Sequence, residues 1–319
     1  MTPMNTTIDR RTGLTLTSPV MTASGTFGYG VEAAKRMDFR GLGAIVCKGT
    51  TRLPRAGNEP LRMETTAAGM LNTIGLQNIG VDAVVETMAP IWATWEVPVI
   101  VNVSAESISD YVEIVSRLDG VAGISGIEVN VSCPNVRGGG EMFGSNARSA
   151  AEVTAAARDA TALPLLVKLT PAVSDIRPIA AAVERAGADA MTLINTLPGM
   201  AIDRRRRRPA LAATFGGLSG PAIKPVALYH VYQAAQTVEI PIIGAGGILT
   251  ADDAVEFILA GASAVQVGTA LLLDPAAWRP IVTGIEVWCR QEGVTDLRNV
   301  IGAANPSFKG KAGEVNLAG

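Results

Sequence analysis

Apolar positions along this chain gather into short runs rather than strict alternations. Such runs fall at residues 19–23, 44–48, 98–103, 126–131, 163–169, 190–195, 240–244 and 264–267. Nearly every position in them is apolar, the pattern of a strand buried on both faces. Stretches with helical spacing lie between them, as at residues 175–186 and 251–260. Eight strands with helical crossovers predict an α/β fold, a (β/α)8 TIM barrel. Ala186-Gly187-Ala188 precedes the sixth run and Ala260-Gly261-Ala262 the eighth. A glycine there ends a helix in the left-handed conformation and turns the chain into the next strand. Residues 7–17 predict a short N-terminal β-hairpin under the barrel, and residues beyond about 306 read as a polar tail. No Pro/Ser-rich linker divides the chain, so residues 1–319 read as one domain with inserted loops.

Polar residues interrupt these runs at one end. Lys48 ends the second, Asn102 the third, Asn130 and Cys133 the fourth, and Lys168 the fifth. Asn195 and Thr196 end the sixth, Gly244 to Gly247 follow the seventh, and Gly268-Thr269 follow the eighth. In a barrel all of these fall at the C-terminal mouth, where barrel enzymes keep their chemistry.

The chemistry they point to is specific. In Asn130-Val131-Ser132-Cys133-Pro134-Asn135 a cysteine stands between two asparagines just after a strand. A thiol there can take a proton while the amides hold a flat polar ring, although its free pKa of about 8.5 requires help from the site. Lone cysteines are also often buried and inert, the reading favoured for Cys47 and Cys289, and His230 reads as structural. Ile243-Gly244-Ala245-Gly246-Gly247-Ile248 and Gln266-Val267-Gly268-Thr269-Ala270 are glycine loops of the phosphate-binding kind, backed by the N-terminus of a following helix. Tight-turn glycines are the alternative. Lys48 and Lys168 end interior strands, and a buried lysine must be paired. The partner is either a phosphorylated, electron-rich cofactor or a structural carboxylate. Asn72-Thr73-Ile74-Gly75-Leu76-Gln77-Asn78 offers amide donors and acceptors with a glycine for close approach, or else a surface turn.

Composition narrows the partners. With 48% hydrophobic residues the chain can bury a large core, and a formal charge of −2 gives no reason to expect nucleic acid or an anionic membrane. Three scattered cysteines without a CxxC exclude an iron–sulfur or zinc site built from cysteines alone, and no metal site is expected. They also argue against a disulfide framework and for a reducing compartment. Residues 1–11 lack an apolar signal core, and no apolar run approaches the roughly 20 residues that span a bilayer, so the expectation is a cytoplasmic protein. Arg204 to Arg208 form a run of five arginines without interleaved aromatics, expected as a solvated flap beside the mouth.

Together, Ala23-Ser24-Gly25-Thr26-Phe27-Gly28, residues 72–78, residues 130–135, Ser219-Gly220-Pro221-Ala222-Ile223-Lys224-Pro225 and the two glycine loops resemble the dihydroorotate dehydrogenases, class 1B catalytic subunits in particular. The resemblance spans roughly residues 8 to 306. It implies FMN at the mouth, in contact with Ser24, Lys48, Gly49, Asn102, Asn130, Lys168, Ile194, Gly220, Gly246, Gly247, Gly268 and Thr269. It implies dihydroorotate or orotate held by Lys48, Asn72, Thr73, Ile74, Gly75, Leu76, Asn130, Asn135, Asn195 and Thr196, with Cys133 as catalytic base. It further implies an electron-transfer subunit carrying FAD and a 2Fe–2S cluster that reduces NAD, with a homodimer of this chain inside a heterotetramer. The fumarate-linked class 1A, a dihydropyrimidine dehydrogenase-like flavoprotein and a flavin-free barrel lyase stay open as alternatives, as does, more remotely, nucleic-acid binding through the arginine run.

Overall fold

Eight parallel strands close into a barrel: β1 (Val20–Thr22), β2 (Ala44–Val46), β3 (Val99–Val103), β4 (Gly126–Asn130), β5 (Leu165–Lys168), β6 (Ala190–Leu193), β7 (Ile242–Ala245) and β8 (Ala264–Val267). Each pairs with its neighbour in sequence, and β8 closes on β1 through Val265↔Val20. The computed structural model describes residues 4–9, 11–132 and 143–306. All eight strands lie within or beside the apolar runs. Several are shorter than their runs, so Lys48 stands two residues beyond β2.

Every residue of the eight strands is buried. The barrel interior is filled by Met21, Ala44, Val46, Ile100, Leu166, Ala190, Ile243 and Ala264. Below them, Ile8 and Leu16 from the N-terminal hairpin (Thr6–Thr7 with Thr15–Leu16) join the same cluster. The hairpin therefore plugs the bottom, and the interior is a packed core rather than a channel.

The helices are set by their own end signals. Ser107 caps Ile108–Leu118 by accepting from Asp110 N, and Asn146 caps Ala147–Asp159 by accepting from Ser149 N. Thr250 and Asp253 form a reciprocal capping box on Ala251–Ala260. Gly187 and Gly261 have positive φ before β6 and β8.

A second sheet was not anticipated. Leu197–Gly199, Gly216–Ser219, Gly69–Asn72 and Met63–Thr66 form a four-stranded antiparallel sheet in that order. It joins the long insertion after β2 to the insertion after β6, and it brings the 72–76 and 195–196 segments to one place. No helix of the described residues is long and apolar enough to cross a membrane.

Candidate active site

The floor of the mouth is a polar layer one step above the apolar interior. Residues two apart on a strand share a face, so Glu128 and Asn130 of β4 lie on the same side. The register sets Asn102 beside Glu128, Asn130 beside Lys168, and Lys168 beside Thr192. Glu128 is fully buried. Its carboxylate accepts from Asn102 Nδ2 at 2.7 Å, Thr192 Oγ1 at 2.7 Å and Gln266 Nε2 at 2.6 Å.

Lys168 is buried as well. Its Nζ donates to Gln266 Oε1 at 3.3 Å and Ser24 Oγ at 3.5 Å. Among the described residues it forms no ion pair with a carboxylate. Lys48, half-buried beyond β2, has neither an ion pair nor a side-chain hydrogen bond among the described residues. Burial holds its pKa below the ordinary lysine value, against the pull of Glu32. Two cations at the mouth without a carboxylate partner leave room for an anionic or electron-rich ligand.

The amides above them are oriented by their partners. Asn130 Oδ1 accepts from Ser132 N at 3.1 Å and Asn195 Nδ2 at 3.3 Å, and Asn130 O accepts from Tyr111 OH at 2.7 Å. Asn195 Oδ1 accepts from Thr196 N at 2.8 Å. Asn130 Nδ2 donates to none of the described residues, so its hydrogens are open to a ligand. On the inserted sheet, Asn72 Nδ2 donates to Gly217 O at 3.3 Å. Thr73 is tied to Asn58 through Oγ1 and its carbonyl, and Ile74 O accepts from Asn58 N. Gly75 follows with φ +74°, a conformation glycine adopts without strain. Leu76 lies against Gly49, whose notional Cβ would stand 3.4 Å from Leu76 Cδ2 and 3.2 Å from Asn102 Oδ1.

The glycine loops form a cup on the other side. A Cβ on Gly247 would meet Lys224 Cβ at 2.7 Å and Gly220 O at 2.9 Å, so only glycine fits there. Ile194 packs beside Gly246, and Thr269 Oγ1 is 2.9 Å from Ser219 Oγ. Gly268 opens the short helix Thr269–Leu273. The backbone N–H groups of Gly246, Gly247, Gly268 and Thr269 have no partner among the described residues, as a phosphate cradle requires. After β7 the Asp253 carboxylate accepts from Leu249 N and Thr250 N while Thr250 Oγ1 accepts from Asp253 N, and the helix after β8 has five residues. Gly246 and Gly247 thus offer their N–H groups from the loop after β7, and Gly268 and Thr269 from the start of the short helix.

Cys133 and Asn135 lie outside the described residues. Their neighbours do not: Ser132 Oγ donates to Lys168 O at 2.8 Å, and Gly144 N donates to Val131 O at 2.9 Å. Ser132 and Gly144 thus both lie at the end of β4. The other polar candidates lie elsewhere. Cys47 is fully buried, and burial pushes its thiol up to about 12. Cys289 is buried with its pKa raised. His230 is buried on helix Lys224–Ala235, and burial lowers its pKa. Arg204 to Arg207 form the exposed tip between Ile202–Asp203 and Arg208–Pro209, where Asp203 accepts from the Arg205 and Arg206 amides.

Sequence reasoning missed Glu128, Thr192 and Gln266 as one network. A signal existed for Glu128, a carboxylate inside an otherwise apolar strand, which can be buried only if it is paired or hydrogen-bonded.

Residues 8–288 match the family model for dihydroorotate dehydrogenase. The chain is 52% identical over 293 residues to the dihydroorotate dehydrogenase B (NAD(+)) catalytic subunit of Desulforudis audaxviator, covering 92% of this chain and 95% of that one. It is 53% identical over 292 residues to the protein of the same name from Desulforamulus reducens, covering 92% and 96%. A crystal structure of DHODH from Eimeria tenella in complex with ferulenol shares the fold, with a TM-score of 0.78 at 23% identity, covering 95% of this chain and 89% of that one. A closed barrel with this mouth, matched along most of its length, makes the chain a member of the dihydroorotate dehydrogenase family, of the NAD-linked B-type catalytic subunits.

Proposed function

We propose that the mouth of this barrel binds FMN and oxidises (S)-dihydroorotate to orotate for pyrimidine biosynthesis, with Cys133 as base. The observation that carries the reading is the pair of lysines, Lys48 and Lys168, at the mouth with no carboxylate ion-pair partner among the described residues, opposite a cup of amides that have no partner there either. The residues fit the cofactor. Gly220, Gly246, Gly247, Gly268 and Thr269 would hold its phosphate, and Ser24, Gly49, Asn102, Ile194, Lys168 and Lys48 its ring. When bound, FMN supplies the acceptor for the hydride leaving ring carbon 6 of the substrate.

The chain's own residues do the rest. Asn72, Thr73, Ile74, Gly75 and Leu76, with Asn130, Asn135, Asn195 and Thr196, would hold the flat substrate by its ring amides, carbonyls and carboxylate. Lys48 would place a positive charge where negative charge builds as the proton leaves ring carbon 5. That proton goes to the Cys133 thiolate, and its bonding pair becomes part of the new ring double bond.

The relatives' name, catalytic subunit, implies a further subunit. We assign it the class 1B character: FAD and a 2Fe–2S cluster, electrons to NAD, and a homodimer of this chain inside a heterotetramer, in the cytoplasm.

The test is anaerobic single turnover. The chain is loaded with FMN, dihydroorotate is added, and the flavin band near ~450 nm is followed. Rapid bleaching, with recovery by NAD only when the electron-transfer subunit is present, is the expected result. Recovery by fumarate alone would move the chain to class 1A, and a chain that takes up no FMN would overturn the reading.

A further inference from the structure

Glu128 is a fully buried carboxylate that the reaction above does not use. Among the candidate ligand positions it is hydrogen-bonded to Asn102, and it reaches Lys168 through Gln266. An ionised carboxylate only accepts hydrogen bonds, and here it accepts from Asn102 Nδ2, Gln266 Nε2 and Thr192 Oγ1. Each carboxamide must therefore point its nitrogen down at Glu128 and its oxygen away. For Gln266, the freed Oε1 meets Lys168 Nζ at 3.3 Å. For Asn102, the freed Oδ1 accepts no hydrogen bond from the described residues and lies against Gly49 at the mouth. The floor is thus made to present an acceptor at Asn102 and a held cation at Lys168.

We infer that Glu128 is a positioning residue that fixes this donor and acceptor polarity for the flavin ring, acting through Asn102 and Gln266. The inference rests on the reading of the mouth as an FMN site.

A single substitution isolates it. Glu128→Gln keeps shape but replaces one acceptor oxygen with an NH2. If that NH2 faces Asn102, the Asn102 amide must invert and offer a donor to the mouth. If it faces Gln266, that amide must invert and aim its NH2 at the Lys168 ammonium. Either way one element of the floor has the wrong polarity. The double variant E128Q/Q266E removes the conflict. The carboxylate at position 266 accepts from Lys168 and from the new amide, whose oxygen still accepts from Asn102. Thr192, a hydroxyl that can donate or accept, adapts by rotation.

The experiment is titration of each apoprotein with FMN, read by quenching of flavin fluorescence. E128Q should loosen FMN about tenfold to a hundredfold, the effect of one mispaired buried polar group. E128Q/Q266E should recover most of that loss. Wild-type affinity in E128Q overturns the inference, and so does a double variant that stays as loose as the single one, which marks a space-filling role. If E128Q does not fold, Gln266→Met takes its place: it leaves Lys168 without its amide acceptor and should also loosen FMN, and unchanged affinity overturns the inference. Failure of the wild-type chain to take up FMN is a separate outcome that removes the underlying function reading.

Discussion

A half-buried lysine that forms no ion pair among the described residues is poised for a ligand at the expense of the empty fold. Burial already disfavours the charged form of Lys48. Lys48→Met should therefore leave apoprotein stability unchanged or slightly raised, while kcat/KM falls about a hundredfold or more through loss of a transition-state charge contact; thermal melts and steady-state kinetics read the two separately. The cysteines separate as cleanly. Cys47 and Cys289 are buried with raised pKa values, so iodoacetamide at pH 8 should modify at most one thiol of the folded chain, Cys133, and all three after denaturation. Intact-mass measurement counts them, and labelling of Cys47 in the folded protein would contradict its burial. His230, the single histidine, is held neutral by burial, its pKa lowered from 6.5. Its unfolded form takes the proton more readily, so its contribution is full above that value and is lost as pH falls from about 6.5 toward the folded pKa. Urea midpoints between pH 7.5 and 5 should decline for the wild type and flatten in His230→Gln. At this scale the sequence was most readable where a polar residue ended an apolar run, as at Lys168. Glu128 was less readable, because its three partners come from three other strands.

Among the elements, legibility followed burial. The barrel strands were visible because both of their faces are covered, which leaves continuous apolar runs such as Val99–Val103. The inserted sheet was not. Its strands are short and only partly buried, and Gly69, Gly199, Gly216 and Gly217 carry no side-chain pattern. Gly69–Asn72 also pairs with residues far away in sequence, at Gly216–Ser219, so no local turn signal announces the pairing. Yet this sheet brings the 72–76 and 195–196 segments, the proposed substrate side of the mouth, to one place. A Cβ on Gly217 would fall 2.1 Å from Thr196 Oγ1, so Gly217→Ala must push Thr196 aside. We expect KM for dihydroorotate to rise by about tenfold or more, since small displacements at a positioning contact are costly, while FMN content stays normal. A rise in KM accompanied by loss of FMN would mean the two sides of the mouth are not separable.

For the whole molecule, the hairpin-plugged apolar cluster and the proposed chemistry sit at opposite ends of the barrel. Ile8 and Leu16 of the hairpin close the bottom, and the polar layer from Asn102 to Gln266 faces the top. Leu16→Ala should cost about 2–5 kcal/mol of stability by leaving a cavity, with the rate of flavin reduction unchanged at a temperature where the protein stays folded. Denaturant melts and stopped-flow absorbance read the two effects, and a slowed reduction would mean that the bottom is coupled to the mouth.

The hairpin tip at Arg204 to Arg207 has one more consequence. Exposed basic tips are where a digestive protease enters first, so brief trypsin treatment should nick the backbone there and nowhere in the strands. The cut separates β1–β6 from β7–β8, yet Leu197–Gly199 and Gly69–Asn72 both remain zipped to Gly216–Ser219 across it. The two pieces should travel together on a native gel and part only in detergent. The arginine tip is then a natural place to split the gene and have two separately made halves of the enzyme find each other.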